Sequence, residues 1–252
     1  ITVLINGDEE VSSAGSRELI TRLGTEHDAV FSCEGGGATD RLALTTAGIG
    51  AVLLRVRGRA SHAGSAPEQG RNALYELAHQ VLQMRDLTNA NAGIKLNWTI
   101  ASAGATRNVI PAVAIATADF RVLRVAAYDE VERLVRERIR EQLITGTTVD
   151  VSFERRRPPL EATDESRALA AHAQSIYREL DRRLTVSDQA AGGGTDAAFA
   201  ALESDAPVIE GFGLIGFGAH SDARESVDLR SVVPRLYLLT RMVMDVGQGL
   251  AP

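Results

Sequence analysis

The stretch Ala51-Val52-Leu53-Leu54-Arg55-Val56-Arg57 sets apolar Val52, Leu54 and Val56 against Leu53, Arg55 and Arg57. An alternation of period two reads as a half-exposed strand. Downstream, Asn72 to Leu87 carries Ala73, Leu74, Leu77, Ala78, Val81 and Leu82 at helical spacing, the pattern of an amphipathic helix. Ile94 to Ser102 and Ala112 to Val122 alternate again as strands. Val131, Leu134, Val135, Ile139 and Leu143 mark a second helix with Arg and Glu on its other face, and Val149 to Phe153 closes the run as a strand. The order β-α-β-β-α-β is that of a ferredoxin-like split unit. It reads as an insertion over residues 50–157, because α/β texture lies on both sides of it.

In the flanking parts, residues 1–49 and 158–252, Ile1 to Ile5 reads as a buried strand that ends at Asn6-Gly7. Ala29 to Cys33 is a second strand, ending at Glu34 before Gly35-Gly36-Gly37. After Pro158-Pro159 the spacing predicts a helix from about Glu165 to Leu180. Next come Gly192-Gly193-Gly194-Thr195-Asp196, a short helix over Ala197 to Leu202, and a strand at Pro207-Val208-Ile209. A glycine-rich loop from Gly211 to Gly218 then leads to His220-Ser221-Asp222. The last helix, about Val233 to Val246, is apolar at Leu236, Leu239, Met242 and Val243. The chain opens at Ile1 inside an apolar run with no polar lead-in, which reads as a chain cut at a strand with further residues expected upstream.

Composition narrows the function classes. The chain has 252 residues, 44% of them hydrophobic, a formal net charge of -6 and one cysteine, Cys33. An ordinary apolar fraction predicts a packed core rather than disorder, and one cysteine rules out a disulfide framework or a thiolate zinc cluster. The acidic balance argues against nucleic acid as a partner. No run of about eighteen apolar residues is present, so no membrane-spanning helix is expected.

Chemistry is concentrated at strand ends. Asp8, Glu9 and Glu10 are adjacent carboxylates that repel one another unless a proton or cation neutralises them; equally, acids suit a solvated turn or a helix N-terminus. Glu34 ends the second strand, and strand carboxyl ends are where α/β folds build sites. His220 and His62 lie in loops rich in small residues, whereas His27, His79 and His172 read as structural. Strand-end carboxylates with a loop histidine make an oxygen and nitrogen donor set suited to zinc with an open position. Neighbours on an extended backbone point opposite ways, so Glu9 and Glu10 divide into a ligand and a base, in either order. The Gly192 to Thr195 loop, with Thr195 as helix N-cap, suits an anion or is simply flexible. Arg155-Arg156-Arg157 is a solvated strand end or a carboxylate clamp. Nucleotide binding is a third reading of the glycine loop, without the P-loop lysine.

Five segments, in order, resemble the zinc carboxypeptidases of the glutamate carboxypeptidase (carboxypeptidase G) type, with aminoacylases and succinyl-diaminopimelate desuccinylases as more distant relatives. They are Asn6-Gly7-Asp8-Glu9-Glu10 with Gly15-Ser16-Arg17, Gly58-Arg59-Ala60-Ser61-His62-Ala63-Gly64, Asn108-Val109-Ile110-Pro111, Gly192 to Ala198, and Gly216 to Asp222. The resemblance implies an α/β zinc-exopeptidase-type catalytic domain, incomplete here, interrupted by a ferredoxin-like dimerisation domain. It implies Glu9 as general base, Glu10 and His220 as ligands of one zinc, and Glu34 as ligand of a second. His62 is implied to act across a homodimer, formed through residues 50–157, as an oxyanion donor. Asn108, Arg157, Gly193, Gly194 and Thr195 are implied to hold the free C-terminal carboxylate of a small peptide or N-acyl amino acid. The family's His-x-Asp ligand and bridging aspartate have no counterpart in these residues, so this chain alone is expected to bind zinc weakly and not to turn over. A non-catalytic dimerisation and anion-binding module is the competing expectation. Gly35 stands where the family often has proline.

Overall fold

The computed structural model describes all residues except Gly36, Ala191, Asp222 and Ala223; the expected loop positions Gly36 and Asp222 therefore lie outside the described residues. The chain divides into two compact units, residues 48–156 and residues 1–47 with 157–252.

The continuous unit is built on strands β3 (Gly48–Arg57), β4 (Ile94–Ala103), β5 (Val113–Val122) and β6 (Thr148–Arg157), with helices α2 (Ala73–Gln83) and α3 (Ala126–Arg138). The sheet runs β4-β5-β3-β6, and β5 is antiparallel to both neighbours for which register is defined. This is the ferredoxin-like arrangement expected from the element order. Val52, Leu54 and Val56 face a core shared with Phe120, Leu77 and Val131. Gly50 lies against the Phe120 ring, where any Cβ would collide with it.

Two expectations in this unit need correction. The inward face of α2 is Ala73, Glu76, Leu77 and Gln80, while Leu74 and Leu82 are exposed. The second helix ends at Arg138 and does not reach Leu143. One group explains both. The buried Glu76 carboxyl accepts the backbone N–H of Leu143 (2.9 Å) and Ile144 (2.7 Å), so those donors serve a side chain rather than a helical turn.

The discontinuous unit contains α1 (Arg17–Thr25), β1 (Val30–Phe31), β2 (Arg41–Ala43), α4 (Asp164–Arg178), β7 (Thr185–Ser187), α5 (Ala197–Ala200), β8 (Val208–Ile209), β9 (Gly216–Phe217), β10 (Ser226–Val227) and α6 (Val232–Gly247). β1 pairs in parallel with β8, and β2 in parallel with β7. A bridge between Ala43 and Glu210 joins the two pairs. Thr163 and Ser166 cap α4 reciprocally, which satisfies N–H groups that a helix start leaves open. Leu42, Leu169, Ile176, Tyr177, Leu238 and Met242 form the core.

Here the reading of Ile1 to Ile5 as a buried strand is overturned. These residues form no strand, and Ile1, Val3 and Ile5 are largely exposed. A strand is stable only when its backbone groups find partners, and among the described residues β1 pairs with β8 and not with Ile1 to Ile5. Ile1 to Ile5 instead line an apolar cavity of about 630 Å³ with Ile20, Leu23, Leu239 and Val243. In α6 the buried residues include Arg235, Leu238, Met242 and Asp245, whereas Leu236, on the apolar pattern read from the sequence, is exposed. Among the described residues no helix is long and apolar enough to cross a membrane.

Candidate functional site

In the discontinuous unit, the Glu9–Val11 turn is a single 3₁₀ turn followed by Ser12 and Ser13 in the left-handed region, with φ of 67° and 55°. Two consecutive non-glycine residues at positive φ are strained and persist only when neighbours hold them. Asp8 supplies much of that hold. Its carboxylate accepts the N–H of Gly15 (2.8 Å) and Ser16 (3.2 Å) and the Ser16 hydroxyl (2.6 Å). The Ser16 hydroxyl and then the Gly15 N–H keep the Asp8 carboxyl below the usual carboxylate range.

Asp196 grips the same turn from the other side, accepting from the Asn6 amide (2.5 Å) and the Ser13 hydroxyl. The buried Arg157 guanidinium pairs with the Glu9 carboxylate, donates to the Glu9 carbonyl, and lies 3.6 Å from Asp196. Glu10 points away and is largely exposed, with its Oε1 3.9 Å from His220 Nδ1. His220 sits at φ 61°. Glu34, past the end of β1, has its carboxyl raised above the usual carboxylate range, by desolvation first and then by the charges of Glu9, Asp196 and Glu10; Arg157 opposes the shift. Glu9, Glu10, Glu34 and His220, together with Arg157, are therefore brought to one region of this unit.

Thr195 is buried. Its hydroxyl donates to Glu210 Oε2 and accepts the Ala197 N–H (3.2 Å), while the N-cap position of α5 belongs to Asp196. Gly193 lies in open space, where a Cβ would meet nothing within 4 Å.

The continuous unit pairs two expected site residues by itself. Val109 bridges to His62, and the Ala63 N–H donates to the Asn108 carbonyl (2.8 Å). His62 Nδ1 accepts the N–H of Gly64 (3.1 Å) and Ser65 (3.0 Å). An imidazole nitrogen that accepts carries no proton, so in the neutral ring the proton is on the exposed Nε2.

Sequence reasoning passed over Asp196, Ser13 and Glu210. Glu210 bears the mark by which Glu34 was noticed, an acid at a strand end followed by glycine. It is buried, and its carboxyl is raised, by desolvation first and, more weakly, by the charge of Glu34, with the hydroxyls of Thr195 and Ser32 opposing. Asp196 stands inside a quoted motif, but nothing in its spacing shows that it reaches Asn6.

The donor set suits a hard or borderline cation: carboxylate oxygens and imidazole, with more negative charge than Arg157 balances. Two donors of one tetrahedral zinc are about 3.4 Å apart at ordinary bond lengths, and the Glu10 to His220 separation is about half an ångström wider. Among the described residues no group of three or more His, Cys, Asp or Glu is arranged to hold a metal ion. The fit lies in donor chemistry and charge.

Comparison with known proteins agrees with this chemistry. Residues 44–147 match the peptidase dimerisation domain. The chain is 43% identical over 250 residues to carboxypeptidase G2 of Pseudomonas sp. (strain RS-16), covering 99% of this chain and 60% of that protein. Its fold resembles that of aminopeptidase PepT from Bacillus cereus, with a TM-score of 0.76 at 19% identity over 94% of this chain and 60% of the other. It also resembles the Bacillus subtilis YXEP protein, described as a dinuclear metal-binding peptidase of the M20 family, with a TM-score of 0.69 at 14% identity over 94% of this chain and 62% of that one. The chain thus spans about three fifths of the length of these relatives. By its dimerisation domain, its likeness to carboxypeptidase G2 and its fold, the chain is similar to the M20 family of peptidases.

Proposed function

We propose that the whole protein to which this chain belongs hydrolyses an amide bond in a small peptide or N-acyl amino acid and releases a C-terminal amino acid of the glutamate type. The observation that carries the reading is the turn that sets Glu9 and Asp196 about the buried Arg157 and Glu10 beside His220, with the charges of Glu9, Asp196 and Glu10 raising the Glu34 carboxyl. Likeness to carboxypeptidase G2 supports the substrate class. Two zinc ions, one held by Glu10 and His220 and one by Glu34, would supply Lewis-acid activation of water and of the scissile carbonyl. Glu9 takes the proton of the attacking water and returns it to the leaving nitrogen. His62, from the neighbouring subunit of a homodimer formed through residues 50–157, donates its Nε2 proton to the carbonyl oxygen as negative charge develops there.

Asn108, Arg157, Gly193, Gly194 and Thr195 hold the terminal carboxylate. Arg157 has five N–H donors, enough to keep Glu9 and Asp196 while one substrate oxygen is bound. A catalytic zinc takes three protein ligands, and Glu10, His220 and Glu34 together supply three for two ions. This chain alone therefore binds zinc weakly and does not turn over. Tight two-zinc binding by the 252-residue chain in titration calorimetry would overturn that statement.

In the whole protein, Glu9→Gln keeps zinc and abolishes hydrolysis, because an amide cannot take up the water's proton; near-normal kcat would refute the base assignment. Mixing His62→Ala with Glu9→Gln subunits restores part of the activity if the histidine acts across the dimer. No restoration would place His62 in its own subunit's site.

A further inference from the structure

We propose that Glu210 is a positioning residue: its buried carboxylate fixes the Thr195 hydroxyl and so sets the Gly193-Gly194-Thr195 loop for the substrate's terminal carboxylate. This rests on the assignment of that loop under the proposed function. Glu210 is 7% exposed, and its backbone is held at both ends. Its N–H donates to the Ala43 carbonyl (3.0 Å) and its carbonyl accepts the Ala43 N–H (2.9 Å). The side chain therefore projects from a fixed point between the β1/β8 and β2/β7 pairs. Thr195 spends its only proton on Glu210 Oε2 and accepts the Ala197 N–H, which leaves its side chain one orientation.

At the other end of the loop, the Gly193 carbonyl accepts the Ala47 N–H (2.9 Å). The loop is thus tied at Gly193 and at Thr195, with open space beside Gly193. Glycine backbone has no preferred conformation of its own, so an external anchor must supply the order that a binding loop needs. A buried acid is a costly anchor, and an apolar residue of similar size would pack there without that cost. What the apolar residue lacks is a hydrogen-bond acceptor for Thr195.

The test uses Glu210→Ala, Glu210→Gln and Thr195→Val in the whole protein, with an N-acyl glutamate and its α-carboxamide as substrates. For the free acid, Glu210→Ala is expected to raise KM about tenfold, or roughly 1.4 kcal/mol, with kcat within about twofold. Glu210→Gln retains an acceptor oxygen and restores KM. Thr195→Val reproduces Glu210→Ala, and the double variant is no worse than either alone, because both remove one interaction. The carboxamide gains no such sensitivity. An unchanged KM in Glu210→Ala, additive effects, or equal loss on both substrates would overturn the proposal.

If the unmodified protein hydrolyses neither substrate, the functional reading fails by itself. Hydrogen exchange over residues 193–197 then decides the positioning role in the 252-residue chain. Exchange is expected to quicken in Glu210→Ala and Thr195→Val but not in Glu210→Gln, and unchanged exchange in the first two would overturn the role.

Discussion

Gly213 has no side chain, and the geometry of Glu34 depends on that. A Cβ at position 213 would stand 2.7 Å from the Glu34 carbonyl oxygen and 2.9 Å from its carbonyl carbon, and closer still to the Cys33 carbonyl oxygen. All three are backbone atoms, so no side-chain rotation can relieve the clash. Restoring ordinary contact requires a relative shift of about an ångström, against the Gly213 N–H bond to the Glu34 carbonyl (2.9 Å). Loss of that bond costs about 1 kcal/mol, and overpacking adds about 1–3 kcal/mol. Gly213→Ala should therefore lower stability by roughly 2–4 kcal/mol. The larger consequence falls on the role proposed for Glu34: a zinc ligand misplaced by an ångström would cost on the order of 10²-fold in rate.

The assay is zinc content and kcat/KM of the whole protein, beside Gly247→Ala as a control for the same chemical change. Gly247 lies in α6, where a Cβ meets nothing within 4 Å. The expected result is lost zinc and about a hundredfold lower kcat/KM for Gly213→Ala alone. Full zinc content with kcat/KM within about threefold of the unmodified protein would refute the claim that this close approach holds Glu34 as a ligand.

Glu76→Ala should destabilise the continuous unit by roughly 3–5 kcal/mol, because it strands the Leu143 and Ile144 N–H groups and the Gln80 amide that donates to Glu76 Oε1. Trp98, the single tryptophan, packs against that unit's core, so its fluorescence in urea follows this unit; a loss below about 1 kcal/mol would contradict the role given to Glu76. Glu210 makes a pH prediction. Burial raises its folded carboxyl above the ordinary value near 4.3. The protonation-linked stability is therefore full below that value and is lost as pH rises through the raised one. Glutamine does not titrate, so the melting-temperature advantage of Glu210→Gln over the unmodified chain should widen from pH 4.5 to pH 8. A constant gap would show that the Glu210 carboxyl is not held above its ordinary range.

The parts of the fold that were legible in the sequence are those where one periodicity persists. Val52, Leu54 and Val56 repeat every second residue and line a core, and the βαββαβ order led directly to the observed sheet. What was hidden is what tertiary pairing decides. Strands of two or three residues, such as Arg41–Ala43, Thr185–Ser187 and Ser226–Val227, are too short to show a period. Ile1 to Ile5 has strand composition, but a strand also needs a neighbour. Leu82 fits a helical stripe and is nevertheless exposed, because Glu76 and Gln80 occupy the inward face through polar contacts that hydrophobic patterning cannot register. In the site, acids at strand ends were visible as residues. The contacts of Asp196 with Asn6 and Ser13 were not, since they join positions far apart in the chain.

Asp8, Glu9 and Glu10 show why adjacency in sequence is a poor guide to role. Three neighbouring carboxylates would repel if they shared one environment. The turn separates them instead. Asp8 is consumed by Gly15 and Ser16 and holds the left-handed Ser12-Ser13 pair in place. Glu9 turns inward to Arg157, and Glu10 turns outward beside His220. The strain at Ser12 and Ser13 is the structural cost of that separation, because a relaxed continuation of the turn would not bring Ser13 back to Asp196. The Ser13 hydroxyl therefore matters more than its size suggests: without it Asp196 loses one of the donors that tie it to the turn, and the opposite orientations of Glu9 and Glu10 lose their anchor together.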